Sequence, residues 1–256
     1  MVSHKHRCIF IHISKCAGTT VEEAFGVDTT GDAQMGYGWN PDLGIHMQHA
    51  TPDELLTSGL VTKAQWETYY KFIIVRNPYA RAYSDYAWVM LNGDVWGPFG
   101  DFIGAKGAFK KRLNVRSVDY MGEHLRSQSE YFLLAGAPVA YDQVIRLESA
   151  KAGFATLCEA LNLPEDFFKS SANVNKKKLP HYSWFYNANR RRLVADKYQE
   201  DLKSLNYSFD DQRPTKLNWL NDLILIFGRS GKLNFRLKYP FLAHRWGRFK
   251  RSLLGT

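Results

Sequence analysis

Residues Cys8 to Phe25 read CIFIHISKCAGTTVEEAF: an apolar run, a short turn carrying a lysine, then a segment with helical spacing. A short, isoleucine-rich apolar run bounded by a turn predicts a buried strand over Arg7 to Ile13. Thr19 to Phe25 is predicted as the helix that follows. A turn between such a strand and helix exposes free backbone N–H groups and the positive end of the helix dipole, an environment that favours an anion. Gly18 permits tight backbone geometry, Thr19 and Thr20 offer hydroxyls, and Lys15 adds a mobile positive charge. The alternative is an ordinary strand-to-helix turn with a surface lysine. The nucleotide-binding spelling GxxxxGK[ST] is absent, since the lysine precedes the glycine and no Lys-Ser/Thr pair follows to hold magnesium.

A second stretch, FIIVRNPYARAYSDY (Phe72 to Tyr86), repeats the pattern. Lys71 to Val75 is predicted as a second buried strand, and Pro78 opens a helix through about Met90. Arg76 then stands at the carboxyl end of a central strand, where ligands bind in open α/β sheets. Ser84 lies eight residues further on, and the two could grip one phosphate together. Taken alone, Arg76 and Arg81 could equally be surface charges at a helix start.

Further along, Pro52 to Leu56 and Lys63 to Tyr70 read as short helices, Tyr141 to Leu147 as a third strand and Ser149 to Leu161 as a helix. Val118 to Leu134 is predicted helical, as is Ala188 to Leu205. Gly26 to Gly44 reads as a glycine-rich loop and Asn92 to Gly107 as a mobile surface loop. Alternating strands and helices imply an α/β fold whose central parallel sheet has right-handed crossovers.

The chain has 256 residues, 45% of them hydrophobic, enough to bury one sizeable core. Its net charge of +9 is concentrated at one end. From Pro214 onward stand four lysines, five arginines and one acid; the first 213 residues hold 25 basic and 24 acidic side chains. Nucleic-acid binding by the main body therefore lacks support, and no nucleic acid is expected as a partner. Three cysteines without metal-ligand spacing fit a reducing compartment and predict no metal centre. No secretory leader or membrane span is expected, so the predicted location is cytoplasmic. Residues 1–213 are expected to form one domain and 214–256 a basic, aromatic extension. That extension contains LNWLNDLILIF and could touch the inner membrane surface peripherally, pack on the domain or a second subunit, or collect an anionic polysaccharide.

These residues carry a resemblance. IHISKCAGTT resembles the 5′-phosphosulfate loop of the sulfotransferase family 2 type, usually spelled Pro-Lys-x-Ala-Gly-Thr-Ser/Thr. FIIVRNPYARAYSDY is similar to that family's 3′-phosphate segment, and QHATPDEL to its histidine segment. RSQSEYFL, VIRLESAKAGFATLCEALNL and the tract from Asn175 to Tyr207 follow in the same order. The resemblance covers about residues 7 to 210. It departs at Ser14, where proline is usual, and at Cys16, which could be oxidised near the donor.

The resemblance implies a P-loop NTPase-like three-layer fold and a donor, 3′-phosphoadenosine 5′-phosphosulfate, with adenosine 3′,5′-bisphosphate as product. It implies sulfuryl transfer to an acceptor hydroxyl, on a saccharide or glycolipid by family inheritance. Lys15, Cys16, Ala17, Gly18, Thr19 and Thr20 would hold the 5′ end, and Arg76 and Ser84 the 3′-phosphate. Lys15 would also stabilise charge on the leaving oxygen. Among eight histidines, His49 is the first choice as base and His46 the second. His12 reads as a core residue, His4 and His6 as part of a frayed terminus, and His124 and His181 as acceptor-site candidates. Glu148 is expected to orient Arg146 or a backbone turn. Lys176 to Lys178 could close over the 3′-phosphate, and the aromatic stretch Tyr182 to Tyr186 could stack on sugar or adenine. The rival readings are a nucleotide kinase or other P-loop phosphotransferase, and a non-catalytic anion-binding module.

Overall fold

The computed structural model describes residues 1–26, 38–168 and 181–213. Its strands are β1 Val2–Ser3, β2 Cys8–Ile11, β3 Trp39–Asn40, β4 Ile45–His46, β5 Tyr70–Val75, β6 Leu133–Leu134, β7 Ala137–Pro138 and β8 Gln143–Arg146. Its helices are α1 Gly18–Ala24, α2 Pro52–Thr57, α3 Lys63–Thr68, α4 Pro78–Asn92, α5 Phe99–Ile103, α6 Lys110–Asn114, α7 Ala150–Ala160, α8 Ala188–Lys197 and α9 Gln199–Ser204.

The central sheet runs β1-β2-β5-β8. Strands β2, β5 and β8 are parallel, with Ile11 opposite Ile73 and Val75 opposite Arg146. Ile9, Phe10, Ile11 and Phe72 to Val75 are buried on both faces, which is why these strands read as unbroken apolar runs. The sheet is mixed, however, because β1 pairs antiparallel with β2. The segment expected to fray instead turns back at Arg7, whose φ is 47°. Val2 is buried, and His4 is hydrogen-bonded to Tyr69 Oη at 3.0 Å. The segment is held by antiparallel pairing with β2 and by the Met1 ammonium donating to the Phe10 carbonyl at 2.9 Å, with Tyr69 as its distant partner.

Three further expectations are corrected. Asn92 to Gly107 is not a mobile loop: α5 buries Phe99, Phe102 and Ile103 in a second core with Tyr86, Phe109 and Phe185. Their i, i+3, i+4 spacing was present, but the flanking glycines masked it. Val118 to Leu134 is not one helix but two 3-10 turns, Gly122–Leu125 and Gln128–Phe132. The Asp201 carboxylate takes the N–H groups of Gln128 and Ser129, both at 2.8 Å, in place of helical carbonyls. The expected helix over Ala188 to Leu205 breaks at Tyr198, whose buried side chain lies beside the Arg81 guanidinium. Tyr182 to Tyr186 packs into the second core, with Phe185 and Tyr186 buried. Lys176 to Lys178, most of Gly26 to Gly44 and the extension 214–256 lie outside the described residues.

Candidate active site

The carboxyl ends of β2 and β5 open onto one cleft of about 1460 Å³, large enough for a nucleotide and a second ligand. Lys15, Ala17, Gly18, Thr19, Thr20, Arg76 and Ser84 line it, together with His12, His46, His49 and His124. Two segments 60 residues apart in sequence thus share one cavity because their strands are neighbours.

The turn after β2 has an unusual backbone. Lys15 and Ala17 both adopt left-handed φ, 58° and 60°. Such a conformation costs about 1–3 kcal/mol at a non-glycine residue and persists only where the surroundings enforce it. Arg81 supplies that enforcement from beneath. Its guanidinium is 1% exposed and donates to the Ser14 carbonyl (3.3 Å) and hydroxyl (3.1 Å). The serine at the position where proline is usual therefore has a partner that restrains the loop entry. Arg81 is neither a surface charge nor a ligand-facing one, and nothing in its sequence context distinguished it from Arg76.

Lys15 points into the cleft with Nζ 5.7 Å from the centre of the Trp88 ring. Burial, helped by the Arg76 charge, lowers its pKa, and Asp85 partly opposes this. Arg76 donates from Nη1 to the Lys15 carbonyl at 3.1 Å. Neither cation has a carboxylate partner among the described residues. Gln128, fully buried, clamps the Arg76 backbone: Oε1 accepts its N–H at 2.9 Å and Nε2 donates to its C=O at 2.8 Å. Glu148 serves a backbone turn, accepting from the Asn77 N–H at 2.7 Å and the Tyr207 hydroxyl at 2.9 Å. Asn77 caps α4 by accepting from the Tyr79 N–H.

The Cys16 side chain turns away from the cleft, buried, toward Gln128 Oε1 at 3.9 Å. Burial pushes the thiol up to about 12, so it stays protonated. Oxidation of Cys16 near the donor, considered from its position in the loop, is therefore disfavoured, because the thiolate is the reactive form. Only the backbone of Cys16 remains available to an anion.

Gly18 begins α1 where the His12 ring lies against it. A Cβ added there would sit 1.7 Å from His12 Nε2. The ring cannot swing aside cheaply. Its Nδ1 is 2.8 Å from Glu22 Oε1, and it stacks on Phe10 at 5.5 Å. Gly18→Ala is expected to cost about 1–3 kcal/mol of stability through overpacking, measured by urea unfolding. Wild-type stability in that variant would refute the contact.

His49 sits at the end of the 3-10 turn Met47–His49. Its Nδ1 donates to the His12 carbonyl at 3.1 Å, which leaves the Nε2 lone pair free. Tyr131 Oη and Arg126 Nη1 donate to its own carbonyl, at 3.1 and 3.2 Å. Arg126 is in turn held by a two-point pair with Glu54 at 2.7 and 2.8 Å. Burial, then the neighbouring His12 and His124, hold the His49 pKa well below the usual histidine value. His46 also lines the cleft, but its Nε2 donates to the Val118 carbonyl at 3.1 Å. His12 is buried as expected, yet it belongs to the cleft wall, which its strand position did not reveal. His181 is not among the cleft-lining residues.

Two cations without a carboxylate partner among the described residues, two threonines and a histidine oriented by the His12 carbonyl thus share one cleft of a mixed α/β sheet. The sequence model of the sulfotransferase family matches residues 1–208. The chain belongs to that family, whose members transfer a sulfuryl group. No curated protein and no solved structure matches it.

Proposed function

We propose that this protein moves a sulfuryl group from 3′-phosphoadenosine 5′-phosphosulfate to a hydroxyl on a saccharide or glycolipid, within a P-loop-like domain. The observation that carries the reading is the pair of cations, Lys15 and Arg76, with no carboxylate partner among the described residues, at the ends of adjacent parallel strands. The donor supplies an activated sulfuryl group bound to a phosphate oxygen. Around it, the loop N–H groups, Thr19 and Thr20 hold the 5′-phosphate, and Lys15 faces the oxygen on which charge develops. Arg76 and Ser84 hold the 3′-phosphate. His49 Nε2 takes the proton of the acceptor hydroxyl. Gln48, Asp119, Tyr120 and Glu123 also line the cleft and offer polar groups that fit a polyol acceptor.

Calorimetry with adenosine 3′,5′-bisphosphate and with AMP tests the donor assignment. Tighter binding of the bisphosphate is expected, and equal affinities would reject a 3′-phosphate pocket. Arg76→Ala should cost about 10- to 100-fold in bisphosphate affinity, the value of a charge-assisted hydrogen-bond pair, while leaving AMP binding nearly unchanged. Turnover of labelled donor with a panel of sugar alcohols separates an enzyme from a mere binder.

A further inference from the structure

His124 lies at the end of a chain of three imidazoles. The His12 and His49 rings are 4.6 Å apart and the His49 and His124 rings 5.5 Å apart, each pair edge to face. Carboxylates close the chain at both ends. Glu22 holds His12 Nδ1, and Asp85 holds His124 Nδ1 at 2.6 Å. Only the central ring, His49, has no carboxylate against it.

The two ends are not equivalent. His12 also lines the cleft, but its Nε2 edge lies against the start of α1 at Gly18. His124 lines the cleft, and its Nε2 has no hydrogen-bond partner among the described residues. Its ring plane is fixed by stacking on Trp88 at 4.3 Å and 19°. Asp85 is fully buried, and its second carboxylate oxygen faces Arg81 Nε at 3.4 Å. This is the arrangement of an imidazole whose tautomer is set by an acid behind it, with one nitrogen offered to the reaction.

We propose that His124, oriented by Asp85, is the terminal proton acceptor of the transfer reaction. The inference rests on the sulfuryl-transfer reading above. The acceptor O–H bond breaks with its electron pair kept on oxygen, which bonds to sulfur as the sulfur–phosphate-oxygen bond breaks toward the leaving nucleotide. The proton passes from His49 Nε2 to His124 Nε2, directly or through one water, a reach that general-base catalysis allows. It stops there because a proton on His49 would be buried with no carboxylate against its ring among the described residues, whereas on His124 it faces Asp85.

The test compares wild type, His124→Gln and His124→Ala. Wild-type turnover comes first: if it is absent, the parent reading falls and the relay with it. Given turnover, His124→Gln should lower kcat about 10²-fold or more, with the affinity for adenosine 3′,5′-bisphosphate unchanged within about twofold. Added imidazole should restore activity to His124→Ala and leave wild type unaffected. If His124→Gln does not fold, His124→Asn takes its place. A kcat within threefold of wild type would overturn the relay. So would a kcat loss matched by an equal loss of bisphosphate affinity and not rescued by imidazole, which would assign His124 a structural role.

Discussion

Lys15→Ala should lower kcat about 10²- to 10³-fold, the usual effect of removing one preorganised donor from a developing negative charge. The lysine is well placed for this. Its left-handed backbone, braced by Arg81 through Ser14, aims the side chain into the cleft. Partial burial has removed some of its water and lowered its pKa; Asp85 acts on it at a distance, but no described carboxylate forms a salt bridge with it. Its charge is therefore available to the leaving oxygen and acts in a medium of low dielectric constant. Because the interaction strengthens as the bond breaks, the loss should appear in kcat more than in donor affinity. Lys15→Arg should recover little, since a planar fork on a longer stem does not reproduce a compact ammonium. Single-turnover kinetics on Lys15→Ala settles the matter. A rate within threefold of wild type would remove Lys15 from the chemical step.

His49→Ala should cost about 10²- to 10⁴-fold in kcat, the range for a lost general base. Its pH behaviour gives a second reading. Burial and the flanking histidines hold its pKa well below 6.5 in the folded protein. The ring therefore stays neutral, and competent as a base, below the pH at which a free histidine would be protonated. The acid limb of kcat/KM assigned to His49 should accordingly lie below pH 6.5. Stability moves with the same linkage. As the pH falls below 6.5 the unfolded chain binds a proton at His49 that the folded protein excludes, so folding weakens toward acid. The loss is complete once the pH has passed below the folded value, with a slope of at most about 1.4 kcal/mol per pH unit. Urea unfolding at pH 7.5 and 5.5 should show a larger drop for wild type than for His49→Asn, the other histidines being common to both. Equal drops would contradict the burial argument.

The parts of the site legible in sequence were those written in contiguous residues. A buried strand followed by SKCAGTT, and a second followed by RNPY, pointed to two turns able to face an anion. Their strands proved to be neighbours, so Lys15 and Arg76 meet across one cleft. What could not be read was whatever depends on residues distant in the chain. Arg81 looked like a twin of Arg76, yet helix geometry turns it under the loop and into burial. Gln128 had no local mark of its clamp on Arg76, 52 residues away. The sequence reading placed the start of α4 at Pro78, but neither the cap that Asn77 makes nor its support by Glu148 was read from it.

By itself, the amino-acid sequence determined the alternation of strands and helices, the two turns where backbone N–H groups and cations gather, and His49 as a candidate base. These depend on local periodicity and on residue chemistry, which a linear string carries. Only the tertiary structure decided that the sheet is mixed, that Arg81 braces the lysine turn, and that three histidines line up between Glu22 and Asp85. Those features arise from side chains brought together by burial and strand order, and no periodicity in the chain encodes which distant groups will touch.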